Sequence, residues 1–135
     1  MNSKRASIII YFIMSVSGTK EFAVELFVNQ LTNKLSVENI NMDLLNKIVS
    51  KLAPVSYDTE ADSAYVSGND QTEIDTVVKS LFVKHLGHDE SHPDHEVMVR
   101  AAIEKYGTSN PKKYRVPLIY IILADNNLVD DYLAL

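Results

Sequence analysis

The chain has 135 residues, of which 46% are apolar and 23% are charged. These fractions are typical of globular proteins and exclude collagen-like and low-complexity disordered classes, and the length predicts one domain with one core. The absence of cysteine excludes disulfides, thiolate metal ligands and cysteine nucleophiles. A formal net charge of −5 disfavours a general affinity for nucleic acid or anionic lipid.

The start of the chain carries an apolar run, residues 8–14, behind Lys4 and Arg5. This run is much shorter than the roughly 20 residues that a membrane-spanning helix needs, so we expect no membrane span. Three interpretations stay open: a strand or helix packed on the core, an export signal, or an extension ahead of a translation start at Met14 rather than Met1. We therefore divide the chain into an uncertain apolar extension, residues 1–14, and a single helical domain, residues 15–135.

Helical periodicity dominates the first half of that domain. Thr19 is a candidate N-cap for a helix over residues 20–35, and a second helix that starts near residue 42 is stopped by Pro54. An acidic loop over residues 55–69 follows. A capping-box pattern at Asp70 then opens a third helix, and this helix ends at Gly87, a residue type suited to a left-handed C-cap.

The second half predicts a fourth helix from Pro93 to Gly107 and then a continuous apolar run over residues 116–123. A run of this kind suits either a buried strand or a buried helix. We favour a helix through residue 124 with Pro117 at its first position, where proline costs no hydrogen bond, and a closing turn over 128–133. The fold class predicted is all-α: a small single-domain bundle of about five helices, built from packed helical hairpins.

All four histidines lie within eleven residues, among acidic side chains. Imidazole and carboxylate groups are the ligands that zinc, nickel or cobalt prefer, and the candidate metal ligands are His88, His92 and His95. Gly87 and Pro93 separate the histidines onto different segments, which argues against one shared helix face. The alternative is a solvated loop whose acidic residues favour the start of a helix.

Residues 100–115 contain five basic side chains and one acidic one in an otherwise acidic protein. This basic segment indicates a contact with a phosphate backbone or with an acidic protein surface. The alternative is a solvated face that is balanced by the acidic loop. The candidate partner or phosphate contacts are Arg100, Lys105, Lys112, Lys113, Tyr114 and Arg115.

Several stretches of the sequence resemble the bacterial family called domain of unknown function 2853. They are residues 73–77, 82–87 and 106–110, the triplet Lys113-Tyr114-Arg115, and, earlier in the chain, residues 43–45, 57 and 66–68. The likeness covers about residues 15–124. It implies a small helical bacterial protein located in the cytoplasm, supports Met14 as the start, and transfers no catalytic residue. This chain departs from the family pattern in a longer acidic loop, in its histidine-rich linker and at Pro117.

No phosphate-binding glycine loop, serine elbow or paired-carboxylate motif is present in the sequence. We therefore expect a non-enzymatic protein without a cofactor. The leading hypothesis is a protein-interaction module that binds a protein partner or itself through the basic segment or an apolar groove. The alternatives are a nucleic-acid-associated protein that uses the basic segment and a metal-binding protein that uses the histidines.

Overall fold

Six α-helices, one π-helical segment and a two-stranded sheet make up the described part of the computed structural model. The structure describes residues 18–53, 57–60, 64–66, 70–89, 92–108, 110 and 112–135. The all-α class and the helical bundle predicted from the sequence are confirmed. The apolar extension, residues 1–14, and the boundary drawn after it lie outside the described residues.

Helix α1 spans Lys20–Asn33, and helix α2 spans Met42–Lys51. Both begin as the sequence predicted, because the Thr19 hydroxyl accepts a hydrogen bond from the Phe22 amide, and the Asn41 side chain accepts one from the Leu44 amide. Helix α1 turns Ala23, Phe27 and Leu31 into the core, and α2 buries Leu44, Leu45, Ile48 and Val49. Pro54, the predicted stop of α2, lies outside the described residues.

The third predicted helix is in fact two kinds of helix in succession. Helix α3 covers Gln71–Val77, capped by the Asp70 side chain, and a π-helical segment covers Val78–His85. In a π-helix each amide bonds the carbonyl five residues earlier, which makes the turn wider than that of an α-helix. Leu81 and Phe82 of this segment are fully buried, as is Val77 at the end of α3. Gly87 ends the segment with φ of 71°, as its predicted C-cap role requires.

Helix α4 spans Asp94–Tyr106 and ends at Gly107, whose φ is 113°. Helix α5 spans Arg115–Asp125, so the apolar run is a helix as predicted. Pro117 is its third residue and not its first. The position costs no hydrogen bond, because the first four amides of a helix have no partner within it.

Helix α5 is the centre of the bundle. Every residue from Val116 to Leu123 is buried, which is the pattern of a helix enclosed on all sides. It packs against α1, α2 and α4, and against the closing helix α6, which spans Val129–Leu133 where the sequence predicted a turn.

A short antiparallel sheet joins the middle of the chain to the start of α5. Strand β1 is Tyr65–Val66 and strand β2 is Lys113–Tyr114, with Tyr65 opposite Tyr114 and Val66 opposite Lys113. The prediction of an uninterrupted loop over residues 55–69 is therefore wrong at β1. None of the helices in the described ranges has the length and apolar character needed to cross a membrane.

Candidate functional site

The three predicted metal ligands come together in the structure. The fold brings His88, which follows the π-helical segment, against His95 in α4, with 3.1 Å between His88 Nδ1 and His95 Nε2. The His92 ring stacks on the His95 ring at a centroid distance of 4.8 Å. We call these three residues the histidine cluster. His85 stands apart from it, edge-on to Tyr132.

His95 is the buried member of the histidine cluster, with only 2% of its surface exposed. The Phe82 ring lies parallel to it at 4.1 Å, and its Nδ1 has no hydrogen-bond partner among the described residues. Burial lowers the pKa of His95 below its ordinary 6.5, and His88 and His92 lower it further, against the opposing effect of Asp94 and Asp89. The ring is therefore held neutral near neutral pH.

The arrangement of the histidine cluster suits stacking better than coordination. Ligands of one metal ion direct their lone pairs at a common point, whereas the planes of His92 and His95 are stacked within 18° of each other. Among the residues that the structure describes, no group of three histidine, aspartate or glutamate side chains is placed to hold a metal ion. Metal binding by the histidine cluster stays a prediction.

A polar cleft of about 330 Å³ lies beside the histidine cluster, between α3 and the start of α4. Hydrogen bonds from Gln71 connect the polar side chains at its rim. The Gln71 amide nitrogen donates to Asp75 at 2.9 Å and to Glu96 at 2.6 Å. Its amide oxygen accepts from Arg100 at 2.7 Å. The side chains that line this cleft are Asp75, Val78, His92, Pro93, His95, Glu96 and Val97.

The predicted basic contacts do not form one free surface. Lys113 is 1% exposed, and its ammonium donates to the carbonyl oxygens of Thr108 and Asn110. Tyr114 is buried against Tyr65 and Phe27, and this burial raises the pKa of its hydroxyl to about 12. Both residues are therefore buried parts of strand β2 that stabilise the fold.

Three other basic side chains of this segment are held by acidic partners. Arg100 pairs with Glu96 at 3.1 Å, Lys105 pairs with Asp125 at 3.0 Å, and Arg115 pairs with Glu73 at 3.4 Å. Arg115 also donates to the Tyr65 carbonyl. Lys112 is exposed. Contact with phosphate or with an acidic partner through these residues stays a prediction, and the ion pairs would have to open for it.

An apolar cleft of about 370 Å³ between α1 and α2 was missed by the sequence reasoning. Val24 and Val28, one helical turn apart on α1, face Met42 of α2, and Met42 is 41% exposed. We call this the α1–α2 cleft. The described residues that line it are Lys20, Glu21, Val24, Glu25, Val28, Met42 and Asn46.

Glu25 gives the α1–α2 cleft its electrostatic character. Its side chain is partly buried, and burial raises the pKa of its carboxyl above the ordinary value. Within the described ranges it has neither a hydrogen-bond partner nor an ion-pair partner. Glu21, one turn earlier on the same face, adds a second carboxylate, and Lys20 supplies one positive charge.

Residues 27–128 match the family model described as Protein of unknown function (DUF2853). The chain belongs to this family. A search of curated proteins finds no match. The DUF2853 match starts inside α1, so it contains Val28, Met42 and Asn46 of the α1–α2 cleft, whereas the charged residues Lys20, Glu21 and Glu25 precede it.

The buried Lys113 in the DUF2853 region gives a direct test of its role. We expect Lys113→Met to lower the free energy of unfolding by about 1–2 kcal/mol, because two carbonyl oxygens lose a charged donor. Lys112→Met is the matched control, and its exposed position predicts a change within about 0.5 kcal/mol. Urea unfolding followed by circular dichroism measures both. Equal effects at the two positions would contradict a structural role for Lys113.

Proposed function

We propose that this protein is a non-enzymatic protein-interaction module whose docking surface is the α1–α2 cleft. The observation that carries the proposal is the second apolar face of α1. The helix already buries Ala23, Phe27 and Leu31 in the core, yet it also presents Val24 and Val28 to an open cleft. An apolar surface that the described residues leave partly open is typical of a surface used for binding.

The shape of the α1–α2 cleft suits a short segment of another polypeptide. Two neighbouring helices form its walls, and a groove of this kind accepts apolar side chains from a partner helix or strand. A volume of about 370 Å³ is enough for a few such side chains. Symmetric pairing of two copies through this cleft is disfavoured, since it would bring the Glu21 and Glu25 carboxylates of both copies together.

Site-specific photo-cross-linking in cells of the source organism tests the proposal. The photoreactive amino acid p-benzoylphenylalanine replaces Met42 in one variant and Val97 in a matched control. Both are exposed apolar residues, 41% and 65% exposed, but Val97 lies on α4 at the polar cleft. We expect position 42 to give an adduct with one identifiable polypeptide, and we expect Val28→Lys in the same chain to abolish it.

Three results would contradict this function. They are equal adducts at positions 42 and 97, an adduct with nucleic acid that nuclease removes, and a cross-link from position 42 to the chain's own apolar run, residues 8–14. Thermal unfolding of the Val28→Lys variant at the wild-type temperature shows that loss of the adduct is not loss of the fold. An adduct that survives Val28→Lys would also overturn the proposal.

A further inference from the structure

We infer that the α1–α2 cleft selects a partner segment that carries a lysine or arginine side chain next to its apolar side chains. In this complex the Glu25 carboxylate binds the cationic group of the partner. This inference rests on the proposed function and specifies the chemistry of the partner. It assigns a specificity-determining role to a residue outside the DUF2853 match.

Glu25 lies in a partly apolar environment. A carboxylate that leaves water without gaining a hydrogen bond loses solvation free energy. Glu25 is partly buried, it shares the cleft with Val24, Val28 and Met42, and it has no polar partner in the described part of the chain. A cation held in the cleft would restore the lost interaction, because hydrogen bonds between charged groups are stronger than neutral ones.

Acidic side chains outnumber basic ones among the described residues of the cleft. The two carboxylates of Glu21 and Glu25 lie four residues apart on one face of α1, where like charges repel. Among the described residues, one basic side chain, Lys20, lines the cleft, so these three groups together leave one negative charge when all are ionised. A cationic partner would relieve the repulsion, whereas an anionic partner would increase it.

Burial raises the pKa of the Glu25 carboxyl above its ordinary value. A neighbouring positive charge within the protein would have lowered this pKa. Lys20 therefore does not neutralise Glu25, although both line the same cleft. The carboxylate is available to a group supplied by the partner.

Three probes with the same six-carbon chain separate charge from apolar contact: hexylammonium, hexan-1-ol and hexanoate. Each is titrated into the ¹⁵N-labelled full chain at pH 7 and constant ionic strength, and the amide shifts of α1 and α2 report binding. We expect hexylammonium to bind about tenfold more tightly than hexan-1-ol, the gain of one partly buried charge-assisted hydrogen bond. Hexanoate is expected to bind more weakly than both.

The variants Glu25→Gln and Glu104→Gln complete the test. Glu104 is exposed on α4, so its variant changes the net charge equally without touching the cleft. We expect Glu25→Gln to reduce the preference for hexylammonium over hexan-1-ol to less than about twofold while leaving hexan-1-ol binding unchanged. The Glu104→Gln variant is expected to keep the full preference.

Failure of this inference is distinguishable from failure of the proposed function. Equal affinity for hexylammonium and hexan-1-ol, a preference that survives Glu25→Gln, or no binding of any probe at α1 and α2 would each overturn the charge selection. The cross-link at position 42 decides the proposed function independently. A partner identified there whose contacting segment lacks lysine and arginine would also overturn the inference and leave the proposed function standing.

Discussion

Replacement of Phe82 with alanine is expected to lower the free energy of unfolding by about 3–4 kcal/mol. The ring is fully buried in the π-helical segment, where it packs on the core and stacks on His95 at 4.1 Å. Its removal leaves a cavity that the rigid helices around it cannot fill. The expected loss is a large part of the stability of a small domain, which is typically about 5–15 kcal/mol.

Chemical denaturation with urea, monitored by circular dichroism, measures this loss. Val97→Ala is the control, because its side chain is 65% exposed and its expected change is within about 0.5 kcal/mol. Phe82→Leu keeps most of the volume and is expected to cost less than about 1.5 kcal/mol, so the site stays measurable even if the alanine variant fails to fold. A loss below about 1 kcal/mol for Phe82→Ala would contradict the central position of this ring.

Acidification from pH 7.5 to pH 5.5 is expected to destabilise the protein through the buried His95 and the half-buried His85. Burial is the main reason that the pKa of His95 lies below 6.5, and the same holds for His85, where Lys51 and Lys84 lower it further. Below pH 6.5 the unfolded chain binds protons that the folded chain does not bind. The stability is therefore complete above about pH 6.5 and falls as the pH decreases towards the folded pKa values, by at most about 1.4 kcal/mol per pH unit for each histidine.

Urea unfolding at pH 7.5, 6.5 and 5.5 measures this slope, and His95→Gln is expected to reduce it. Glu25 contributes with the opposite sign, because burial raises its carboxyl pKa, so the difference between wild type and variant isolates His95. Glu104→Gln is the control, since its side chain is exposed and Glu104 is not among the groups that shift the pKa of His95. A stability that stays constant or rises between pH 7.5 and pH 5.5, or a slope unchanged in His95→Gln, would contradict the role of the buried ring.

The helix starts and stops were predictable because local chemistry determines them. Thr19, Asn41 and Asp70 accept hydrogen bonds from the first free amides of their helices, and Gly87 and Gly107 take positive φ values at helix ends. Each of these interactions spans only a few residues, so the sequence pattern contains it.

Two features of the fold that the sequence did not reveal, the π-helical segment and strand β1, depend on distant parts of the chain. A π-helical turn has the same residue types as an α-helical turn, and tertiary packing around Val78–His85 decides between them. Strand β1 exists because its partner β2 is supplied from far along the chain. Two residues of strand carry no readable alternation of polar and apolar side chains.

The geometry of the candidate sites also depends on contacts between residues that are distant in the sequence. His88 lies close to His95 because α4 packs against the π-helical segment. This packing could not be predicted from the sequence pattern. Lysine is usually found at the protein surface, yet Lys113 is buried and its ammonium donates to the carbonyl oxygens of Thr108 and Asn110. Val24 and Val28 are angular neighbours of Phe27 on the helix, so helical periodicity alone does not separate the side chains that line the α1–α2 cleft from those in the core.

The pairing of β1 with β2 has a consequence for the order of folding. Closing the loop between Tyr65 and Tyr114 costs about 3 kcal/mol of chain entropy, more than a ladder of two residue pairs returns. We therefore expect the strands to pair only after α3, the π-helical segment and α4 have shortened the intervening chain. Substitutions at Tyr65 should accordingly accelerate unfolding and leave the folding rate nearly unchanged.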